Sequence, residues 1–231
     1  MPLAREWHVF PSRAVLAAAL AKTIAGKLTD AIAARGIGFI AVSGGSTPAL
    51  LFAELSKAAI DWSNVVVTLI DERLVPPTAP RSNARLVADM LLQAPAAAAT
   101  FIPLYHGTDD PETAATLARA VLDKLPWPLD VAVLGMGGDG HTASFFPDAP
   151  NLKELLAADA SKLVLPVEAA SAGEHRLTLT LGKIAEAGLL ALHIEGQEKR
   201  AVLERALAGE RLPIRAAFEA AARPMEIYWA E

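Results

Sequence analysis

Short apolar runs of strand length alternate along this chain with Ala- and Leu-rich stretches of helix length, and nothing else in the sequence restricts its fold as much. Periodicity and breakers predict helices over 13–34, 48–59, 83–92, 111–125, 197–207 and 213–222, and strands over 39–42, 65–70, 100–104, 129–134, 188–194 and 226–229. Residues 177–181 alternate apolar with Thr, as a half-exposed strand does. Strands that alternate with helices pair in parallel through right-handed crossovers. The expectation is therefore an α/β, doubly wound, mostly parallel sheet with helices on both faces. The Pro-rich clusters at 76–80 and 126–128 are too short for linkers, so one domain over 1–231 is expected.

Composition removes several function classes. The net charge is −5, which disfavours a nucleic-acid surface and leaves room for a local basic pocket. There is no cysteine, so disulfides, thiol nucleophiles and thiolate metal sites are absent together. The five histidines are scattered without metal-ligand spacing, and no G-x-S-x-G elbow offers a serine nucleophile. The first ten residues carry Arg5, Glu6 and His8 and lack the apolar centre of a signal peptide. No window approaches 18 uncharged apolar residues, so no membrane span is expected and the cytoplasm is the default location.

Three polar segments sit where predicted strands end, which is where open α/β sheets bind ligands. The first is Ser43-Gly44-Gly45-Ser46-Thr47-Pro48. Its glycines let successive N–H groups face one concavity, and its hydroxyls and the following helix start add donors, which makes a phosphate cradle. Without the Lys of a Walker loop, a nucleoside triphosphate is not supported; an ordinary helix cap is the plainer reading. The second is Asp71-Glu72-Arg73, three charges that must face water, pair or meet a ligand. Arg73 suits a phosphate or carboxylate clamp, and Asp71 suits orienting it or holding a substrate hydroxyl. Ser82-Asn83 follows and either caps the next helix or closes over the same site. The third is Gly135-Met136-Gly137-Gly138-Asp139-Gly140-His141-Thr142-Ala143-Ser144, with four glycines in six positions ahead of an imidazole that packing does not require. His141 is the candidate proton acceptor, and Asp139 the residue that orients it or its loop. A tight turn with a helix-capping histidine is the alternative.

Gly135, Gly137 and Gly140 also match G-x-G-x-x-G, and Asp159 lies near the acidic position of a dinucleotide site. The Phe145-Phe146-Pro147-Asp148-Ala149-Pro150 run nevertheless precludes the long helix such a site opens. Arg176 and Lys199 sit beside predicted strands, within reach of a phosphate or simply in solvent; Arg215 has less to place it there. Ser144 reads as a turn or cap residue and His193 as a hydrogen-bonded core residue.

The segments SGGSTP (43–48), DERLVP (71–76), SN (82–83), GMGGDGHTASFFP (135–147) and RLTLT (176–180) resemble the 6-phosphogluconolactonase branch of the glucosamine-6-phosphate isomerase/6-phosphogluconolactonase family, in order and over nearly the whole chain. The related deaminases would carry a glutamate where Phe146 stands and tend to have Tyr where Arg73 stands. The resemblance implies a Rossmann-like fold similar to that of the deaminases and hydrolysis of 6-phospho-D-glucono-1,5-lactone in the oxidative pentose phosphate route. It implies no cofactor and no required metal; separately, a monomer or weak homodimer is expected. On that basis the phosphate is expected at Ser43, Gly44, Gly45, Ser46, Thr47 and Arg73, with Asn83, Arg176 and Lys199 nearby. His141 is expected at the lactone carbonyl, with Asp139 orienting the ring or its loop and Asp71 supporting Arg73 or a sugar hydroxyl, and the N–H groups of the turn that includes Gly137 and Gly138 are the expected oxyanion donors. A deaminase-like enzyme and a non-catalytic sugar-phosphate sensor are the alternatives.

Overall fold

The computed structural model describes residues 3–157 and 162–231, so Asp159 and its dinucleotide spacing lie outside the described residues. The chain opens with β1 (Arg5–Phe10) and α1 (Arg13–Arg35), whose start is capped by Ser12 Oγ accepting from Val15 N. Leu16, Leu20, Ile24 and Leu28 recur every fourth residue along α1 and are fully buried, which is why so Ala-rich a segment docks as one long helix. Then follow β2 (Gly38–Val42), α2 (Ala49–Leu55), β3 (Val65–Leu69), β4 (Asp71–Arg73), α3 (Asn83–Met90), β5 (Thr100–Ile102), α4 (Pro111–Leu122) and β6 (Val131–Leu134). The second half adds α5 (Leu152–Leu155), β7 (Val164–Val167), β8 (Arg176–Leu179), α6 (Leu181–Ala185), β9 (Leu189–Glu195), α7 (Gln197–Ala208), α8 (Pro213–Ala220) and β10 (Met225–Ala230).

Seven strands form one sheet in the order β1-β10-β9-β6-β2-β3-β5, every neighbouring pair parallel. The predicted mostly parallel α/β sheet is therefore the observed one. From β2 the chain runs outward through β3 and β5, then returns to the other side of β2 with β6, β9 and β10. The strand order thus reverses between β2 and β6, and a crevice opens there beyond their carboxyl ends. Strands β2, β3 and β6 are buried at every residue, as strands covered on both faces must be.

A second, antiparallel sheet, β4-β8-β7, was not expected. It bears on two readings. Residues 71–73, read from the sequence only as three charges needing water, a partner or a ligand, form a strand. Their alternation puts Asp71 and Arg73 on one face and sends Glu72 inward, where it is 0% exposed. The Glu72 carboxylate accepts from the N–H groups of Arg73, Asn83 and Ala84 and from Ser82 Oγ, so it ties β4 to the start of α3. Burial pushes the Glu72 carboxyl above its ordinary value, against the pull of those four bonds. Residues 177–179 are buried rather than half-exposed. Thr178 fits the interior because its hydroxyl donates to the carbonyl of Leu179 at 3.0 Å.

Edges differ elsewhere. The predicted 48–59 helix stops at Leu55 and the 111–125 helix at Leu122. No helix opens after Gly140, and the next one, α5, has four residues, so the dinucleotide geometry is missing. No described helix is long and apolar enough to cross a membrane.

Candidate active site

A cavity of about 360 Å³ lies in that crevice, floored by the ends of β2, β6 and β9 and walled by β4 and β8. All three predicted polar segments reach it. Ser43 through Thr47, Asp71, Arg73, Asn83, Gly137, His141, Arg176 and Lys199 line it together with Phe146 and His193. Gly138 and Asp139 do not, and Gly138 faces solvent.

The glycine turn after β6 is a closed loop. Gly137 N donates to His141 O at 2.9 Å, Gly140 N to Gly137 O at 3.1 Å, and Thr142 Oγ1 to Gly135 O at 2.8 Å. The imidazole lies directly over Gly137, where a Cβ would sit 2.3 Å from Cε1 and 2.4 Å from Nδ1. Asp139 Oδ1 contacts His141 Nδ1 at 2.6 Å and accepts from His141 N at 3.1 Å. A carboxylate at Nδ1 fixes the N–H on that nitrogen and leaves Nε2 with its lone pair. Phe146 supports the ring, with centroids 4.5 Å apart. Asp139 thus acts from outside the cavity on a group inside it. Because the amides of Gly137 and Gly140 bond within the loop, they are not free to meet an oxyanion.

Ser144, read from sequence as a turn or cap residue, is fully buried, and its hydroxyl donates to Asp71 Oδ2 at 2.6 Å. That bond ties the glycine turn to β4. Asp71 therefore holds Ser144 rather than Arg73. Between His141 and Ser144, Ala143 sits at φ 52, a conformation that costs an L-residue roughly 1–2 kcal/mol and turns the chain back toward Asp71.

Arg73 and Arg176 are register partners across β4 and β8. Arg73 Nη1 donates to the carbonyl of Arg81, and Arg176 Nη2 to Ala172 O at 3.1 Å. Burial, then the neighbouring Arg73 charge, depress the Arg176 pKa from its ordinary value. Like charges directly opposite on one sheet repel, so this wall favours an anion. Arg176 also lies over Phe146, 5.8 Å from its centroid, at the imidazole end of the cavity. Beside the Ser43–Thr47 loop, Lys199 Nζ donates to Thr47 Oγ1 at 3.3 Å, with its pKa lowered by burial and partly restored by Glu195.

The Ser43–Thr47 loop passes close over Asn83: a Cβ on Gly44 would fall 1.8 Å from Asn83 Oδ1. Asn83 Nδ2 in turn donates to Asp71 O at 2.9 Å, while Ser82 caps α3 by accepting from Arg85 N. Asn83 therefore closes over the site and its neighbour makes the cap. Arg215 is elsewhere, bonded to Glu219 and Ala206.

His193 corrects a sequence reading. It is 2% exposed, as a core residue would be, but neither ring nitrogen has a hydrogen-bond partner. Burial, with Lys199 adding to it, pushes its pKa down to about 4, so the ring is uncharged at neutral pH. The available signal was its place on the same strand face as Glu195, just before the polar end of β9. Among the described residues seven buried side-chain nitrogens and oxygens lack partners, and five of them, on Ser43, Arg73, Arg176 and His193, belong to this one cavity. Buried polar groups are normally paired, so their concentration here marks the place where a polar ligand completes the structure. No three described His, Asp or Glu side chains converge as a metal ion would need.

A family model described as glucosamine-6-phosphate isomerases/6-phosphogluconolactonase matches residues 11–229. A 6-phosphogluconolactonase from Mesorhizobium japonicum is 58% identical over 226 residues, covering 97% of this chain and 95% of that protein. One from Rhizobium meliloti is 50% identical over 231 residues, covering 99% and 100%. The solved 6-phosphogluconolactonase of Shewanella baltica superposes with a TM-score of 0.96 at 38% identity over 100% of both chains. A monomeric glucosamine-6-phosphate deaminase, with a TM-score of 0.78 at 16% identity over 98% of this chain and 97% of that one, shares the fold.

Proposed function

The chain belongs to the glucosamine-6-phosphate isomerase/6-phosphogluconolactonase family, and we propose that it hydrolyses 6-phospho-D-glucono-1,5-lactone to 6-phospho-D-gluconate within the oxidative pentose phosphate route. One observation carries this reading: a single cavity is lined by a carboxylate-oriented imidazole, three cationic side chains and five buried polar atoms without partners. An anionic, hydroxyl-rich substrate with one electrophilic carbon matches both features.

In this scheme the phosphate lies against Ser43–Thr47, neutralised by Lys199 and by Arg73. Anchoring that end places the lactone carbonyl beside His141. Nε2 takes a proton from water as its oxygen bonds to C1. The tetrahedral intermediate then collapses, the bond from C1 to the ring oxygen breaks, and the imidazolium returns the proton to that oxygen. The new carboxyl group loses its own proton to solvent. General-base help of this kind is worth roughly 10²–10⁴-fold. Arg176, packed on Phe146 at the imidazole end, replaces the loop amides as the donor for the developing oxyanion.

The test is direct. Purified protein is given the 6-phospholactone, gluconolactone and glucosamine 6-phosphate in separate assays, by pH-stat for the lactones and ammonia release for the amine. Fast opening of the phospholactone alone, lost by orders of magnitude in His141→Ala with the fold intact, is the expected result. Ammonia release would give the deaminase reading, and phosphosugar binding without turnover a sensor. Near-wild-type turnover in His141→Ala would remove the proton-acceptor role.

A further inference from the structure

The glycine turn that carries His141 is closed by its own hydrogen bonds. It therefore moves as one body, and the aim of the imidazole depends on where that body is fixed. At its start the turn continues β6, and past its end Asp71 holds Ser144. A further contact comes from the loop between α7 and α8, none of whose residues lines the cavity. Gly138 and Asp139 face solvent, but Gly140 is buried, and Leu212 lies against it. A Cβ on Gly140 would stand 2.7 Å from Leu212 Cδ1 and 2.8 Å from Leu212 Cβ. Two residues on, Ile214 N donates to Gly140 O at 2.9 Å.

The first N–H groups of a helix have no partner within it. Pro213 opens α8 without an N–H to give, so Ile214 supplies the first donor, and Gly140 O takes it. Glycine alone occupies φ +79 freely and leaves room for the Leu212 side chain. The gripping loop is itself braced. Arg215 Nη1 donates to Ala206 O at 2.8 Å, tying α8 back to the last turn of α7, and Arg205 Nε meets Glu210 Oε2 at 2.9 Å. We propose that Leu212 is a positioning residue for His141: packed on Gly140 from outside the cavity, it keeps the turn seated so that Nε2 is aimed at the lactone carbon. This deepens the reading of the cavity as a lactone-opening site and rests on it.

The test compares Leu212→Ala, which uncovers Gly140, with Leu212→Met, which keeps the apolar volume. Steady-state kinetics on the phospholactone, inorganic phosphate binding by calorimetry and melting curves are measured, with Leu212→Ala also made in a His141→Ala background. Proton NMR follows the Nδ1–H that His141 shares with Asp139. A misplacement of about 1 Å at a reacting group costs roughly 10²-fold in rate. The retained Ile214 bond limits the slip, so kcat in Leu212→Ala should fall about tenfold. KM and phosphate affinity should stay within about twofold, because Lys199 and Arg73 are untouched. Leu212 is only half-buried, so Tm should fall by about 2–4 °C. Leu212→Met should restore kcat, and in the His141→Ala background Leu212→Ala should cost nothing further. A folded Leu212→Ala with wild-type kcat overturns the proposal, as does a loss carried by KM or a further loss in the His141→Ala background. Should Leu212→Ala fail to fold, Leu212→Val makes the smaller truncation and is judged by the same criteria. The NMR measurement needs no turnover: the Nδ1–H signal should shift or broaden in the truncated variant and return in Leu212→Met, and an unchanged signal overturns the proposal. A wild-type chain inert toward the phospholactone would instead remove the functional reading, while the NMR result would still decide whether Leu212 sets the ring.

Discussion

Gly137→Ala should separate catalysis from folding. Gly137 is outside the left-handed region, so an alanine adopts its backbone without strain. Its new methyl would nevertheless stand 2.3 Å from His141 Cε1, where ordinary contact needs at least 3.4 Å. The imidazole must retreat by about 1.1 Å, and Asp139 Oδ1, 2.7 Å from the same methyl, must shift as well, so the 2.6 Å contact that orients the ring is disturbed from both sides. A displacement of about 1 Å at a reacting group costs roughly 10²-fold in rate, equivalent to about 2.7 kcal/mol of barrier. The substitution also reduces the freedom of the unfolded chain, worth about 0.4–1 kcal/mol in favour of the folded state, so thermal stability should hold. The residues proposed to hold the phosphate do not move, so KM should stay within about twofold. Steady-state kinetics with the phospholactone, paired with a melting curve, reads all three quantities. Gly138→Ala is the internal control, since a Cβ there meets nothing within 4 Å and should leave kinetics unchanged. A Gly137→Ala enzyme with wild-type kcat and an unchanged melt would refute the claim that the imidazole must lie over that glycine to act.

Arg73→Ala should mainly raise KM and erase the preference for the phosphorylated lactone, read as the ratio of kcat/KM on the two lactones; an unchanged ratio would move the phosphate elsewhere. Glu72→Ala strands the N–H groups of Arg73, Asn83 and Ala84, which should cost on the order of 3 kcal/mol and lower Tm by roughly 6–12 °C, measured by calorimetry. His193 titrates near 4 in the folded chain against 6.5 ordinarily. The unfolded chain therefore takes up its proton first as pH falls, and the stability this group contributes is complete above about 6.5 and lost on the way down to about 4. The amount is about 3 kcal/mol. Urea unfolding of His193→Gln across that window should show a shallower acid decline than wild type, and parallel curves would refute the assignment.

The central strands were legible because parallel strands buried on both faces read as continuous apolar runs, as Val65–Leu69 and Val131–Leu134 do. The edge strand β1, with Arg5, Glu6 and His8, carries no such run, and the short strands β4 and β7 are recognisable only by their partners. The site's chemistry was legible in the Ser43–Thr47 and Gly135–Ser144 segments, where glycines and hydroxyls cluster directly after apolar strand-length runs. Glu72, Ser144 and His193 were misread because burial and pairing belong to contacts far apart in sequence. Ser144 finds Asp71 across 73 positions.

The sequence by itself determined that strands and helices alternate, that the sheet is mostly parallel, and which polar segments end its strands, because periodicity and glycine act locally along the chain. The tertiary structure alone decided that those segments meet in one crevice, that Asp139 aims the imidazole from outside it, and that two arginines face each other across an antiparallel pair. It alone decided, too, that a histidine in an apolar strand is left unpaired in the wall of that crevice. Strand order, register and burial set those juxtapositions, and they exist only once residues distant in sequence have packed together.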